Sequence, residues 1–308
     1  QTFKTLITRM VELNIDYLPA INYALVNNWI DICQSIELTN TSEEDLKDVV
    51  IECGGEFFLT SRSGVIDIIK AGKSVHLQEL DLQPMPAKIA SITEKTLATF
   101  NVKVLANAAN GENTREVADK DYQIEVMPYD QWLGTIILPQ CLASFVIPNH
   151  PAINRVVVKA AQILKEISHS SAFTEYQSGN SNEVRKQVAA IYGALHAESI
   201  VYRSKPASYE IIGQRITLPH QVLASKLGNC IELTLLFASV LESVGINSGV
   251  VIQKGHAYLA VWLVDDCCQY SVCDDPAYIE KKCSNGIDEM LVIECTQITA
   301  ENTSFEDA

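Results

Sequence analysis

Residues 214–256 decide the fold of this chain: QRITLPHQVLASKLGNCIELTLLFASVLESVGINSGVVIQKGH. The run Ile231 to Val244 has apolar residues at helical spacing and on its other sides as well, which predicts a helix buried nearly all round. Asn229 is a favoured N-cap residue, and Glu232 lies three residues later, as in a capping box. Gly245 is a suitable residue to end the helix. The sequence therefore predicts a central buried helix.

A cysteine and a histidine frame this stretch. Cys230 stands at the first turn of the predicted helix, where partial positive charge and unpaired N–H groups favour a thiolate over a thiol. His256 heads the second of two strands that follow the helix, from where its ring could exchange the proton of the thiol. A buried structural cysteine accounts for Cys230 equally well, because free cysteines are among the most buried residues. The spacing alone leaves both interpretations open.

The segment resembles the core of the transglutaminase-like superfamily. Gly228-Asn229-Cys230 matches the Gly-x-Cys that starts the central helix of that superfamily, and Gly255-His256 matches its histidine strand. The resemblance covers roughly residues 182–299 and implies an α+β, papain-like domain with a Cys-His-acid triad. It is similar in particular to the version found in large bacterial helicase-like proteins, where a β-sandwich precedes the thiol domain. The resemblance favours a reactive Cys230 with His256 as its base.

Two residues compete for the third position of the triad. Asp275-Pro276 resembles the Asp-Pro of the superfamily's third motif, but the residues around it also predict a short helix for which Asp275 is the N-cap. Glu294 lies in a predicted strand, Met290 to Thr296, whose Ile-Glu-Cys-Thr resembles the apolar-Asp-Pro-Thr of the superfamily. Residues 265–289 would then be an insertion. We predict Glu294, with Asp275 as the alternative.

Three further side chains were considered for the site. Gln221, nine residues before Cys230, is a possible oxyanion donor, as is the backbone N–H of Cys230 itself. The pattern slightly favours a simple helix-surface position for Gln221. Tyr202 and Tyr209 could line a cleft, but aromatic residues in such positions more often pack, so we predict packing for both.

The first part of the chain predicts an all-β, immunoglobulin-like sandwich. Val11 to Tyr17 alternates apolar and polar residues, Trp29 to Leu38 is a second candidate strand, and about seven short strands with turn signals between them follow this pattern. A proline-punctuated connection ends the region. We expect a β-sandwich domain at 1–135 and a transglutaminase-like domain at 136–308, with helices over Ala152 to Ile167 and Asn182 to Glu198.

Composition excludes several classes of function. A net charge of −15 at pH 7 opposes direct binding to nucleic acid or to an anionic membrane. The nine cysteines form no CxxC pair, so we expect no zinc site, and their odd number suits reduced thiols in the cytoplasm. The phosphate-binding patterns GxGxxG and GxxxxGK[ST] are absent from the sequence, so we expect no nucleotide. Thiol chemistry of the kind that Cys230 would supply requires no metal or organic cofactor, so we expect none.

Two hypotheses for the function follow. The first is a cysteine enzyme that transfers the acyl group of a protein or peptide, with hydrolysis of a peptide or amide bond as the default and deamidation or crosslinking as variants. The second is a non-catalytic recognition module of a larger assembly. The resemblance implies a helicase-like partner, or a helicase-like region in missing sequence, for that assembly.

Overall fold

The structure is a computed structural model that describes residues 10–107, 114–204 and 213–308. The chain divides into two compact units, Gln1–Gln131 and Trp132–Ala308. The sequence placed this boundary near residue 135. Tyr209 lies outside the described residues.

The first unit is built mainly from strands. Its strands are β1 (Val11–Tyr17), β2 (Ala20–Ile21), β3 (Cys33–Asn40), β4 (Leu46–Gly55), β5 (Phe58–Arg62), β6 (Ile66–Ile69), β7 (Ser74–Leu77), β8 (Thr96–Asn107) and β9 (Thr114–Val126). One sheet has the order β1-β3-β7, the other has the order β2-β9-β8-β4-β5, and β6 pairs with β4. Leu13 and Leu38 of the first sheet share one buried cluster with Val102 and Val104 of the second. The two sheets of this unit therefore share a core.

The prediction of an all-β first unit needs two corrections. The unit also contains two five-residue helices, α1 (Tyr23–Asn27) and α2 (Pro86–Ala90). Asn22 starts α1, because its side chain accepts a hydrogen bond from the backbone N–H of Leu25 at 2.9 Å. The strand predicted from Trp29 begins only at Cys33. Trp29 itself has a left-handed φ of 56° and is 92% exposed, so it belongs to the turn after α1.

The second unit surrounds one central helix. Strand β10 (Gln131–Trp132) lies at the boundary; the elements of the second unit are then α3 (Pro151–Ser168), α4 (Ser181–His196), β11 (Val201–Tyr202), β12 (Gln214–Arg215), α5 (Pro219–Ser225), β13 (Leu227–Gly228), α6 (Cys230–Ser243), β14 (Ser248–Gln253), β15 (His256–Trp262), α7 (Pro276–Lys282) and β16 (Met290–Ile293). Short 3-10 helices cover Pro139–Phe145, Cys295–Thr299 and Phe305–Asp307.

Helix α6 is the predicted buried helix. Every residue from Cys230 to Leu241 is buried. Helices α3 and α4 pack on one part of its surface, and the antiparallel sheet β14-β15-β16 packs on another. Phe237 of α6 shares an apolar cluster with Val188 of α4 and Leu259 of β15. Because α6 is enclosed in this way, the position of its first residue is fixed relative to the sheet.

Candidate active site

A polar cap fixes the start of α6. The Asn229 side chain accepts a hydrogen bond from the Glu232 N–H at 3.1 Å, and the Glu232 carboxylate accepts one from the Asn229 N–H at 3.0 Å. This is the capping box that the sequence predicted. The fully buried Glu232 also accepts from the Thr217 N–H at 3.0 Å and lies 3.5 Å from Arg203 Nη2. The cap therefore ties the helix start to the preceding chain.

Cys230 is the first residue of α6 and is 9% exposed. The preceding Gly228 leaves room for a close approach, since a Cβ there would lie 2.9 Å from Leu233 Cδ2 and 3.2 Å from Val222 Cγ1. A side chain at position 228 would have to displace the side chains of Leu233 and Val222. The glycine of the Gly-x-Cys pattern thus holds the cysteine loop against the helix.

His256 and Glu294 form a close pair. The register of β15 and β16 sets Leu259 opposite Ile293, which places the end of β16 near the start of β15. His256 Nε2 lies 2.6 Å from Glu294 Oε2. The other oxygen of Glu294 accepts hydrogen bonds from the N–H and hydroxyl of Thr296 at 3.0 and 2.6 Å. Both oxygens of the carboxylate are therefore held in place.

The same contacts keep Glu294 ionised. Burial alone would raise its pKa, but the hydrogen bonds from Thr296 and His256 outweigh burial and lower the pKa of Glu294 below the ordinary glutamate value. A carboxylate of this kind can orient an imidazole and stabilise its positive charge.

The structure does not pair Asp275 with the histidine. Asp275 caps α7, and its side chain accepts from the Ala277 N–H at 3.0 Å. This is the structural role that the sequence offered as its alternative explanation. Gln221 also has a capping role, because its Oε1 accepts from the Leu218 N–H at 3.1 Å at the start of α5.

The first turn of α6 lies against the start of β15. The Thr234 hydroxyl is 2.8 Å from the Cys230 carbonyl oxygen and 3.3 Å from the Ala257 carbonyl oxygen. Cys230 and Ala257 also share one apolar cluster. Since Ala257 follows His256 directly, these contacts bring the cysteine and histidine segments together.

Tyr202 is a site residue that the sequence assigned to packing. Strand β11 pairs in parallel with β13, and this pairing sets Tyr202 opposite Gly228, two residues before Cys230. Burial is the largest cause that raises the pKa of the Tyr202 hydroxyl, and the neighbouring Cys230 and Glu294 side chains raise it further. Tyr202 also lines a pocket together with His256.

A pocket of about 260 Å³ opens beside Tyr202 and His256. It is lined by Tyr202, His256, Thr296, Gln297, Thr299 and Ala300. The short pairing of β11 with β13 and the packing of β11 on the 3-10 helix Cys295–Thr299 bring Tyr202 to this pocket. No local pattern in the sequence reveals a two-residue strand pair, although the tyrosine itself was visible as a cleft candidate.

Residues 10–107, 114–204 and 213–308 hold no cluster of three or more side chains suited to bind a metal ion. In the same part of the chain, no helix is long and apolar enough to cross a membrane.

The fold and this side-chain arrangement define a class: a thiol domain with a cysteine at the start of a central helix and a histidine on the adjoining sheet. A family model described as the transglutaminase-like superfamily matches residues 171–274. The second unit therefore contains a transglutaminase-like domain. The matched region includes Cys230 and His256 and ends before Asp275 and Glu294.

Other comparisons add little. No curated protein matches the chain. One solved structure that matches is a family 76 glycoside hydrolase from a bovine Bacteroides thetaiotaomicron strain, at 10% identity and a TM-score of 0.19, over 77% of this chain and 51% of that chain. The chain thus spans about half the length of that enzyme. A similarity this weak carries no argument about fold or activity.

Proposed function

We propose that the second unit is a thiol-dependent acyl-transfer enzyme that hydrolyses a peptide or amide bond with Cys230, His256 and Glu294. The observation that carries the proposal is the short distance of 2.6 Å between His256 Nε2 and Glu294 Oε2. His256 starts strand β15, which packs on the buried helix α6, and Cys230 is the first residue of that helix. With Nε2 held by the carboxylate, Nδ1 is the ring nitrogen that exchanges a proton with the thiol.

The reaction begins with proton transfer from Cys230 to His256. The thiolate attacks the acyl carbon and forms a tetrahedral intermediate with a negative oxygen. The backbone N–H of Cys230 and the hydroxyl of Tyr202 donate hydrogen bonds to that oxygen. His256 then gives its proton to the leaving amine, and a thioester remains on Cys230.

Water completes the cycle. His256 takes a proton from water, the hydroxide attacks the thioester, and Cys230 leaves as a thiolate as the acid product forms. An amine in place of water would give crosslinking, and a glutamine side chain as the acyl donor would give deamidation. Hydrolysis is our default because it needs only water at the pocket.

The test uses p-nitrophenyl acetate as a simple acyl donor. The intact chain should release a burst of about one equivalent of p-nitrophenol, and peptide mapping should find the acetyl group on Cys230. Cys230→Ala should abolish the burst. An acetyl group distributed over several thiols, or an unchanged burst in Cys230→Ala, would contradict the proposal and leave the non-catalytic recognition module in its place.

Three parts of the sequence hypothesis stay proposals. We propose an immunoglobulin-like recognition sandwich for the first unit, which its two sheets with a shared core support. We propose a cytoplasmic location, which the nine free cysteines support. Association with a helicase-like partner, or with a helicase-like region outside this sequence, rests on the resemblance alone.

A further inference from the structure

The second unit contains a groove that the active-site proposal does not use. It encloses about 1000 Å³ and shares no lining residue with the pocket at His256. Strand β14 contributes its floor. The 3-10 helix Pro139–Phe145 contributes one wall, and the connection from β15 to α7, including Tyr270 and Val272, contributes the other.

The floor of this groove is an open sheet edge. Among the described parts of the chain, strand β14 has a single neighbour in the order β14-β15-β16. Within the described residues, the backbone of Gly249–Ile252 makes no hydrogen bond other than those of its ladder with β15. Its outward N–H and C=O groups are therefore available to another strand.

Strand β14 lacks the features that normally protect an edge. Its sequence, SGVVIQ, contains neither charge nor proline. Val250 and Ile252 are half-buried against the cluster that contains Leu142 and Phe145, and Val251 is half-buried against the cluster of Trp262. Sheet edges in soluble proteins are usually blocked by charged side chains, prolines or bulges, because an open apolar edge recruits other strands. An unprotected edge at the floor of a groove has room for an additional strand beside it.

Trp262 supplies a second indication of a ligand. It lines the groove and is only 4% exposed. Its indole N–H is buried and has no hydrogen-bond partner among the described residues. A buried donor without a partner is costly. Binding that turns the indole toward the groove would let a carbonyl group of the bound segment accept its hydrogen bond.

The charge of the groove indicates what kind of segment it takes. Among the residues that the structure describes, its charged lining residues are Glu242, Asp274 and Asp275, all acidic and exposed, and none is a lysine, arginine or histidine. A second copy of the chain would set these carboxylates against each other, on a molecule whose net charge is already −15. A segment with basic side chains is complementary to this groove.

We propose that the groove binds an extended segment of a partner protein, with alternating basic and apolar side chains, that adds to the sheet as a fourth strand beside β14. Main-chain hydrogen bonds to β14 would supply affinity, and the apolar floor and acidic rim would select the side chains. This binding does not depend on catalysis by Cys230.

The test uses the full chain and a fluorescein-labelled peptide of alternating lysine and valine. Fluorescence anisotropy should show saturable binding, and a matched peptide of alternating glutamate and valine should bind at least about tenfold more weakly. Hydrogen exchange of the Gly249–Ile252 amides should slow on binding by about tenfold or more.

Matched variants separate this groove from general charge attraction. Glu242→Gln with Asp274→Asn should weaken binding of the lysine peptide by about three- to tenfold. Glu43→Gln with Asp67→Asn, which removes two exposed carboxylates from the first unit, should leave the binding unchanged.

The proposal is wrong if the lysine peptide does not bind or if the glutamate peptide binds equally well. It is also wrong if both double variants lose the same affinity for the lysine peptide, or if binding leaves the exchange of the Gly249–Ile252 amides unchanged. Self-association of the chain that protects the same amides would assign the edge to a second copy instead.

Discussion

At the scale of single residues, the role of Glu294 is the most specific consequence of the site geometry. Glu294→Gln keeps a hydrogen-bonding group beside His256 but removes the negative charge that stabilises the imidazolium. Turnover of p-nitrophenyl acetate should fall by about a hundredfold, with the fold unchanged. Steady-state release of p-nitrophenol and circular dichroism measure the two effects.

Asp275→Ala provides the matched control for that variant. It removes the N-cap of α7 and should cost about 1 kcal/mol of stability. Turnover should stay within about twofold of the unaltered chain, because no catalytic contact is lost. A large loss of turnover in Asp275→Ala with a small loss in Glu294→Gln would assign the third position of the triad to Asp275.

The pKa of Glu294 leads to a prediction about pH. Because its folded pKa lies below the ordinary value of about 4.5, the ionised carboxylate stabilises the folded state above that value. This stabilisation is lost as the pH falls through the lower folded pKa. The stability difference between the unaltered chain and Glu294→Gln should therefore shrink as the pH falls below about 5. Urea unfolding at a series of pH values measures this difference, and a difference that grows on acidification would contradict the assignment.

Tyr202→Phe distinguishes an oxyanion donor from a packing residue. Acetylation of Cys230 by p-nitrophenyl acetate should slow by about tenfold to a hundredfold, since one hydrogen bond to the developing oxyanion is lost. Alkylation by iodoacetamide forms no oxyanion and should change by less than about threefold. Equal losses in both reactions would show that Tyr202 only positions the thiol.

Much of the residue-scale site could be predicted from the sequence. Cys230, His256 and Glu294 stand in segments that resemble a known motif order, so their neighbourhood could be inferred without coordinates. Tyr202 could not be placed, because it reaches the site through a two-residue parallel pairing with β13. Such a pairing depends on the tertiary structure and leaves no periodic pattern in the chain.

At the scale of elements, the start of α6 depends on the buried carboxylate of Glu232. Glu232→Ala leaves the backbone donors of Asn229 and Thr217 without their acceptor. We expect a loss of about 3 kcal/mol in the free energy of unfolding. Urea denaturation measures it.

Glu242→Ala is the control on the same helix. Glu242 is exposed in the last turn of α6, so its removal should change stability by less than about 0.5 kcal/mol. Equal effects at positions 232 and 242 would show that the cap does not carry the stability of the helix start.

Local patterns predicted the helices better than the strand ends. The helix predicted over Ala152 to Ile167 is found at Pro151–Ser168, because its apolar face and caps are encoded in neighbouring residues. The strand predicted from Met290 to Thr296 ends at Ile293, because Glu294 caps the 3-10 helix Cys295–Thr299. That cap could not be foreseen, since the apolar run continues through it.

At the scale of the whole molecule, the two compact units predict separable folding. A fragment that begins at Trp132 should keep its helical circular dichroism signal and a reactive Cys230, because α3, α4 and the sheet that enclose α6 all lie in this unit. A fragment that stays unfolded would show that the units depend on one core.

The proposed function requires that Cys230 is a reactive thiol rather than a buried structural one. Competitive alkylation by iodoacetamide at about pH 6, read residue by residue by mass spectrometry, tests it most directly. Cys230 is 9% exposed, whereas Cys267 and Cys273 are exposed. Accessibility alone therefore predicts that Cys267 and Cys273 are alkylated first, whereas an activated thiol predicts that Cys230 is. The proposed site predicts that Cys230 is alkylated at least about tenfold faster than both exposed cysteines. Alkylation of Cys267 and Cys273 ahead of Cys230 would contradict it.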